Sequence, residues 1–253
     1  MRVLLLGGTT EAGQLAAALA AAGIDAVYSY AGRTTVPAAQ PIPHRVGGFG
    51  GAAGLELWLQ ENRVTHVIDA THPFAARISQ HAATACTATG VPLIGFARPP
   101  WVPGPGDRWL HVPGVDRAVE ALPAPPASVF LAIGRQDLAA FAARPQHRYL
   151  LRLVDPAPAQ LLPGAEVVVA RGPFTLAGDL ALMQRHGTEL VVAKNAGGEG
   201  ARAKLDAARS LGLPVIMIDR PTLPDGRQLA GSVTDVMAWL MDRDRVHPAR
   251  LGV

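Results

Sequence analysis

Two clusters in this chain have residue types at spacings that could do chemistry. The first is Gly7-Gly8-Thr9-Thr10-Glu11, set between an apolar run and a helix-length segment. A glycine turn in that setting aims backbone N–H groups past the end of a strand. The helix that follows adds a partial positive charge, so the turn suits a phosphate and, by extension, a nucleotide cofactor. Gly7 and Gly8 permit the tight turn, while Thr9 and Thr10 can cap the helix or donate hydroxyls. The spacing departs from G-x-G-x-x-G, because Gly8 opens Gly-Thr-Thr-Glu-Ala-Gly and the third glycine is displaced. Glu11 suits the helix dipole yet would repel a pyrophosphate beside it. A strand-to-helix turn with no ligand is the competing account.

The second cluster repeats this logic from Val191 to Lys204. Of the 23 basic residues 21 are arginine, and the two lysines, Lys194 and Lys204, both lie here. Lys194 closes an apolar run, so its ammonium is expected to point into a cleft and stands as a catalytic candidate. Asn195, Gly197 and Gly198 can present amide donors to a cofactor. Lys204 is a candidate ligand residue or a solvated helix residue. Arg135, Arg171 and Arg220 also follow apolar runs, and several arginines on one edge would suit a ligand with several carboxylates.

Three further stretches carry candidates. Ser29-Tyr30-Ala31-Gly32-Arg33-Thr34-Thr35 ends the second apolar run without the acid that NAD-binding turns use for the ribose; Asp25 lies at its start. Ser29, Arg33 and Thr34 fit a 2′-phosphate instead, which favours NADP over NAD, against a solvated loop arginine. Gly47-Gly48-Phe49-Gly50-Gly51 can close Phe49 and Gly50 over a flat ligand, or be a wide turn. In Asp69-Ala70-Thr71-His72-Pro73-Phe74, Pro73 suits a first helical position and Thr71 or His72 can cap the helix. Thr71 is also a cofactor contact candidate, and His72 a proton-relay candidate.

These clusters need elements to position them. Strands are expected over 3–6, 26–30, 66–69 and 93–96, with helices over 11–22, 53–61 and 74–89. The alternation predicts an α/β protein with a parallel sheet covered on both faces. Residues 99–108, rich in Pro and Gly, stop both element types and mark a linker. A second series follows, with strands near 129–133, 149–154, 166–170, 190–193 and 215–218. Its helices fall near 115–122, 137–142, 176–186, 201–211 and 233–241. Two domains, 1–98 and 109–253, are therefore expected, with ligands at the carboxyl ends of the strands.

Bulk properties exclude several classes. The 253 residues are 49% hydrophobic and 17% charged, enough to bury a core. No run is long enough to span a bilayer and no leader pattern is present, so a cytoplasmic protein without membrane association is expected. The net charge of +3 is mild and no basic run appears, which argues against nucleic acid. The single cysteine, Cys86, excludes an intramolecular disulfide and a cysteine-rich metal site, and its spacing from Ile78 and Ala82 predicts a buried structural thiol. No metal site and a monomer are expected. A short-chain dehydrogenase needs Tyr-x-x-x-Lys, but Gly32, Thr34 and Leu153 stand four residues after the three tyrosines.

Taken together, four stretches resemble the precorrin-6A reductase family of cobalamin biosynthesis. They are Gly7-Gly8-Thr9-Thr10-Glu11-Ala12, Asp69-Ala70-Thr71-His72-Pro73-Phe74-Ala75, Lys194-Asn195-Ala196-Gly197-Gly198, and Gly212-Leu213-Pro214-Val215-Ile216 running to Arg220-Pro221. They keep the family's order and span nearly the whole chain. Ala196 stands where serine or another small residue is common, which removes a possible hydroxyl contact. The resemblance implies two Rossmann-like parallel-sheet domains facing a central cleft. It also implies hydride transfer from NAD(P)H to one double bond of precorrin-6A, with NADPH favoured by Arg33. The implied substrate is a macrocycle bearing acetate and propionate arms, in keeping with Phe49, Gly50, Arg135, Arg171, Lys204 and Arg220 as its contacts. An NADP-sensing module without turnover is the alternative; it would have no need of the Lys194 segment.

Overall fold

The computed structural model describes residues 1–32, 38–155, 162–222 and 227–246. Along the chain the elements run β1 (Arg2–Leu6), α1 (Thr10–Ala21), β2 (Asp25–Tyr30), β3 (His44–Val46), α2 (Ala52–Glu61), β4 (His66–Asp69), α3 (Ala76–Thr89) and β5 (Leu93–Phe96). Then come β6 (Trp109–Val112), α4 (Val115–Glu120), β7 (Ser128–Ala132), a 3₁₀ segment over Arg135–Ala143, β8 (Arg148–Leu153) and β9 (Glu166–Val169). The remainder is α5 (Leu176–His186), β10 (Leu190–Lys194), a 3₁₀ turn at Glu199–Ala201, α6 (Ala203–Ser210), β11 (Val215–Ile218), β12 (Gln228–Ala230) and α7 (Val233–Val246).

The strands form two six-stranded sheets, ordered β12-β5-β4-β1-β2-β3 and β6-β11-β10-β7-β8-β9. Every pairing in both is parallel. The order reverses between β1 and β4 in the first sheet and between β7 and β10 in the second. In open parallel sheets such switch points, at the carboxyl ends of the strands, are where ligands bind.

Buried on both faces, a central parallel strand needs apolar residues of both parities. β1 shows this directly. Val3 and Leu5 join Leu15, Leu19 and Ile68 on one face, whereas Leu4 and Leu6 join Leu55, Leu59 and Val67 on the other. In the second sheet Phe130, Leu150, Val191 and Met217 anchor an equivalent core with Met183 and Leu205.

The domain boundaries expected from sequence need correction. The chain divides into Met1–Arg98 with Thr222–Val253, and Pro99–Pro221. Residues from 222 onward therefore leave the second domain. The cause is pairing and burial: β12 lies parallel to β5, and Val236, Trp239 and Leu240 of α7 enter the core that holds Val3 and Leu15. Nor are residues 99–108 a bare linker. The backbone N–H of Trp101 donates to Asn195 Oδ1 and its carbonyl accepts from Asn195 Nδ2, which ties this stretch to the second unit.

Other differences are local. β3, β6 and β12 are edge strands of three or four residues, with Val46, Leu110 and Leu229 exposed. Such strands bury too little for a period-2 pattern. The third helix begins at Ala76, so Pro73 is not its first residue, and the helix expected near 137–142 is wound as a 3₁₀ segment. No helix among the described residues is long and apolar enough to cross a membrane.

Cys86 is buried on α3, as its spacing implies. Burial, reinforced by the Asp69 charge, pushes its thiol up to about 12. The native protein is therefore expected to resist iodoacetamide at neutral pH and to be alkylated at one site only after denaturation, as read by mass spectrometry.

Candidate functional site

In the first unit the register sets Leu6 beside Ser29 and Asp69, so the turn after β1 opens next to those after β2 and β4. Gly7 N–H donates to the Ser29 carbonyl, and a Cβ at Gly7 would lie 2.1 Å from the Tyr28 ring. Gly8 N–H donates to Tyr28 Oη at 2.7 Å. Burial raises the phenol's pKa, so it stays neutral. Thr9 caps α1 by accepting from Ala12 N–H, and its hydroxyl donates to the Ala70 carbonyl at 2.9 Å. That bond joins the two turns at the switch point. The N–H groups of Thr9, Thr10 and Glu11 find no acceptor among the described residues. Tyr28→Phe is expected to remove the Gly8 bond at a cost of about 1 kcal/mol, measurable by urea denaturation, with weaker binding of any ligand that needs the turn.

Glu11 does not face the turn as an uncompensated charge. Its Oε2 accepts from Arg98 at 2.7 Å, at the end of the loop after β5. A shallow depression there is lined by Thr9, Glu11, Thr71, Pro73, Phe96 and Arg98.

Asp69 organises the turn after β4. Its Oδ1 accepts from the Thr71 N–H and hydroxyl, and its Oδ2 accepts from Arg227 at 2.7 Å. The pair is almost wholly buried, with side chains 1% and 7% exposed. His72 is exposed; its Nδ1 accepts from Phe74 N–H inside the turn, and neither Thr71 nor His72 caps α3, whose N-cap is Ala75 with no side-chain cap bond.

Ser29 is buried and its Oγ accepts from Arg45 at 2.8 Å. Arg45 also donates to the Gly47 and Gly48 carbonyls and stacks 3.9 Å over the Phe49 ring, whose edge meets Trp58. The glycine-rich loop is thus wound around one arginine, and Phe49 is packed from both sides while Gly50 is exposed. Arg33 and Thr34, with Thr35, lie outside the described residues.

In the second unit Lys194 Nζ sits 2.6 Å from Asp137 Oδ2 at the β7/β10 switch point. Asn195, Gly197, Gly198 and Arg220 form one internal knot. Both side-chain groups of Asn195 are occupied by Trp101; Gly198 O accepts from Trp101 Nε1; Arg220 donates to the Asn195 and Ala196 carbonyls. Gly197, at φ +70°, has Pro99 O 2.1 Å from where a Cβ would be. Lys204 is not a solvated helix residue: it is 5% exposed and its Nζ lies 4.7 Å from the Trp101 ring. Arg135 and Arg171 are exposed, with no partner among the described residues.

Geometry therefore groups Gly7, Gly8, Thr9, Thr10, Glu11, Ser29, Thr71 and His72 on one edge. It separately groups Lys194, Asn195, Gly197, Gly198 and Arg220. Tyr28, Arg45, Asp69, Arg98, Asp137, Arg152 and Arg227 were not singled out from sequence. Asp69 opens a quoted motif and Arg98 directly precedes the Pro/Gly-rich stretch, so both were within reach. Arg227 is distant in sequence from Asp69 and carries no local signal.

These features define a class: a two-unit, doubly wound α/β protein with a glycine turn at the first switch point. The family model for the precorrin-6x reductases CbiJ/CobK matches residues 2–241, and the chain belongs to that family. It is 60% identical to the precorrin-6A reductase of Rhodobacter capsulatus over 242 residues, covering 95% of this chain and 96% of that one. Identity to the precorrin-6A reductase of Mycobacterium tuberculosis is 42% over 240 residues, covering 94% and 97%. The cobalt-precorrin-6A reductase of Priestia megaterium is 29% identical over 236 residues, with 88% and 92% covered. Among solved structures, a CobK precorrin-6A reductase superposes with a TM-score of 0.91 at 59% identity, covering 96% of each chain.

Proposed function

We propose that this protein is a reductase of precorrin-6A in cobalamin biosynthesis, using NADPH. Family membership supports the reaction class. The observation that carries the cofactor is the β1 turn, where three open N–H groups, the α1 N-terminus and the Gly7–Tyr28 contact make a cradle that fits a diphosphate. Thr9, Thr10 and Glu11 would hold it through their amides, and Arg98 neutralises the carboxylate that would otherwise repel it. Ser29, with Arg33 and Thr34, is the proposed site of the 2′-phosphate. Reduction of one carbon–carbon double bond requires a hydride, which the nicotinamide supplies when bound, and a proton on the neighbouring carbon. Lys194, 2.6 Å from Asp137 Oδ2, and His72 are the proposed proton-bearing groups. Arg135 and Arg171 are proposed to meet the substrate's carboxylates. Arg220 is better placed to brace the 195–198 turn than to reach a ligand.

The test is anaerobic incubation with precorrin-6A and each nicotinamide, following cofactor absorbance. Oxidation of NADPH matched by formation of precorrin-6B is expected. NADPH binding without turnover would favour the sensing module, and turnover with NADH alone would overturn the 2′-phosphate argument. No turnover with the metal-free or the cobalt substrate would overturn the reaction. Lys194→Ala and His72→Ala are each expected to lower kcat by about tenfold or more. If neither changes it, solvent or the macrocycle supplies the proton.

A further inference from the structure

Ser29 stands in register between Leu6, the last residue of β1 before the glycine turn, and Arg45 of β3. In a sheet of this kind the carboxyl end of the second strand is where a dinucleotide's adenosine ribose is read. A carboxylate there selects the free 2′-hydroxyl, and a nearby arginine accommodates a 2′-phosphate. β2 ends without an acid, and β3 brings Arg45 alongside.

Arg45 is held by four contacts. Its Nη1 donates to Ser29 Oγ at 2.8 Å and to the Gly47 carbonyl at 2.9 Å, and its Nη2 donates to the Gly48 carbonyl at 3.0 Å. Its guanidinium carbon lies 3.9 Å from the centre of the Phe49 ring. All three acceptors are neutral. No carboxylate pairs with Arg45 among the described residues, and residues 33–37, between β2 and β3, contain neither Asp nor Glu. Burial lowers the Arg45 pKa, whereas that of Arg209, which pairs with Asp107, is raised. A guanidinium has five N–H donors, so Nε and one N–H of Nη2 still lack an acceptor among the described residues. Ser29 is buried, and its Oγ accepts from Arg45 while its own O–H has no acceptor among the described residues. A hydroxyl that accepts from a cation is a stronger donor. A fixed positive charge and a polarised donor thus stand side by side near the end of β2.

We propose that Arg45 is a specificity-determining residue for the cofactor: its guanidinium is the fixed charge that selects a 2′-phosphorylated nicotinamide dinucleotide over the unphosphorylated one. The proposal deepens the NADPH reading and rests on it. An arginine already held by three hydrogen bonds and a ring loses little side-chain freedom when the ligand arrives, so little of its attraction is offset by ordering.

The experiment uses the full chain and equilibrium titrations of NADP⁺ and of NAD⁺, without tetrapyrrole. Wild-type protein is expected to bind NADP⁺ at least about tenfold more tightly than NAD⁺. Arg45→Met is expected to raise the NADP⁺ Kd roughly tenfold to a hundredfold, the usual loss for a charge-assisted bond, with the NAD⁺ Kd unchanged. Arg45→Gln, which keeps a donor for the loop carbonyls without the charge, is expected to do the same. Should Arg45→Met fail to fold, judged by its melting curve, Arg45→Gln decides alone. A loss shared equally by NADP⁺ and NAD⁺ would make Arg45 a brace for the glycine loop and overturn the proposal. A preference for NADP⁺ that survives in the folded variants would also overturn it, while leaving the NADPH reading intact. Wild-type protein that binds both dinucleotides alike, or prefers NAD⁺, would overturn the NADPH reading and this inference together.

Discussion

Gly7→Ala is expected to disrupt the first turn and lower NADP⁺ affinity at least about tenfold. Three Tyr28 ring and hydroxyl atoms lie 2.1–2.4 Å from the position of the new methyl. Tyr28 has nowhere to go. It is 1% exposed, its ring centroid is 4.5 Å from that of Tyr30, and its hydroxyl accepts from Gly8. Overpacking of this kind costs about 1–3 kcal/mol, and loss of the Gly8 bond adds about 1 kcal/mol. Against a typical total of 5–15 kcal/mol that is a large fraction. Gly13→Ala in α1 is the control: its methyl would meet only Gln40 Oε1 at 3.9 Å, so it should be neutral or slightly stabilising. Urea denaturation and NADP⁺ titration read both effects. A Gly7→Ala protein that melts and binds like wild type would show that the Tyr28 contact does not govern the turn.

Arg227→Met is expected to cost about 3–5 kcal/mol, the usual penalty for leaving one partner of a buried ion pair alone. Asp69 would keep its Thr71 donors but lose its only cation among the described residues. The damage should extend beyond the pair, because Arg227 immediately precedes β12 and Asp69 orients the turn bearing Thr71 and His72. Both the docking of the C-terminal segment and ligand binding should weaken. Combining Arg227→Met with Asp69→Asn removes the stranded charge and should recover part of the loss. Denaturant midpoints of the single and double variants measure this. A loss below about 1 kcal/mol in the single variant would mean that the pair is dispensable.

Much of the fold was legible because central parallel strands need long apolar runs. β1, β7, β10 and β11 each carry four consecutive apolar residues and β4 a Val-Ile pair, and the helices between them are long enough to declare themselves. The edge strands β3, β6 and β12 were not, because three or four half-exposed residues of mixed type carry little pattern; the edge strand β9 was, through its Val167-Val168-Val169 run. The candidate site divides the same way. The Gly7–Glu11 turn and the Asp69–Phe74 turn are contiguous in sequence, and both were found. Which groups are open and which are taken was hidden. Gly8 gives its N–H to Tyr28, Asn195 gives its amide to Trp101, and Arg220 holds backbone carbonyls, all through contacts between distant residues.

Residue order alone determined the α/β class, the two series of strands and helices, the glycine turn that suits a phosphate, and the concentration of both lysines near a second turn. All of these follow from local patterns: period, apolar run length and turn chemistry. Only the tertiary structure decided that the C-terminal strand and helix complete the first sheet, that Arg98 neutralises Glu11, and that Asp69 is held by Arg227. It alone buried Lys204 against the Trp101 ring. Those outcomes depend on which distant side chains share a low-dielectric interior, where an unpaired charge or amide is expensive, and no window of sequence contains that information.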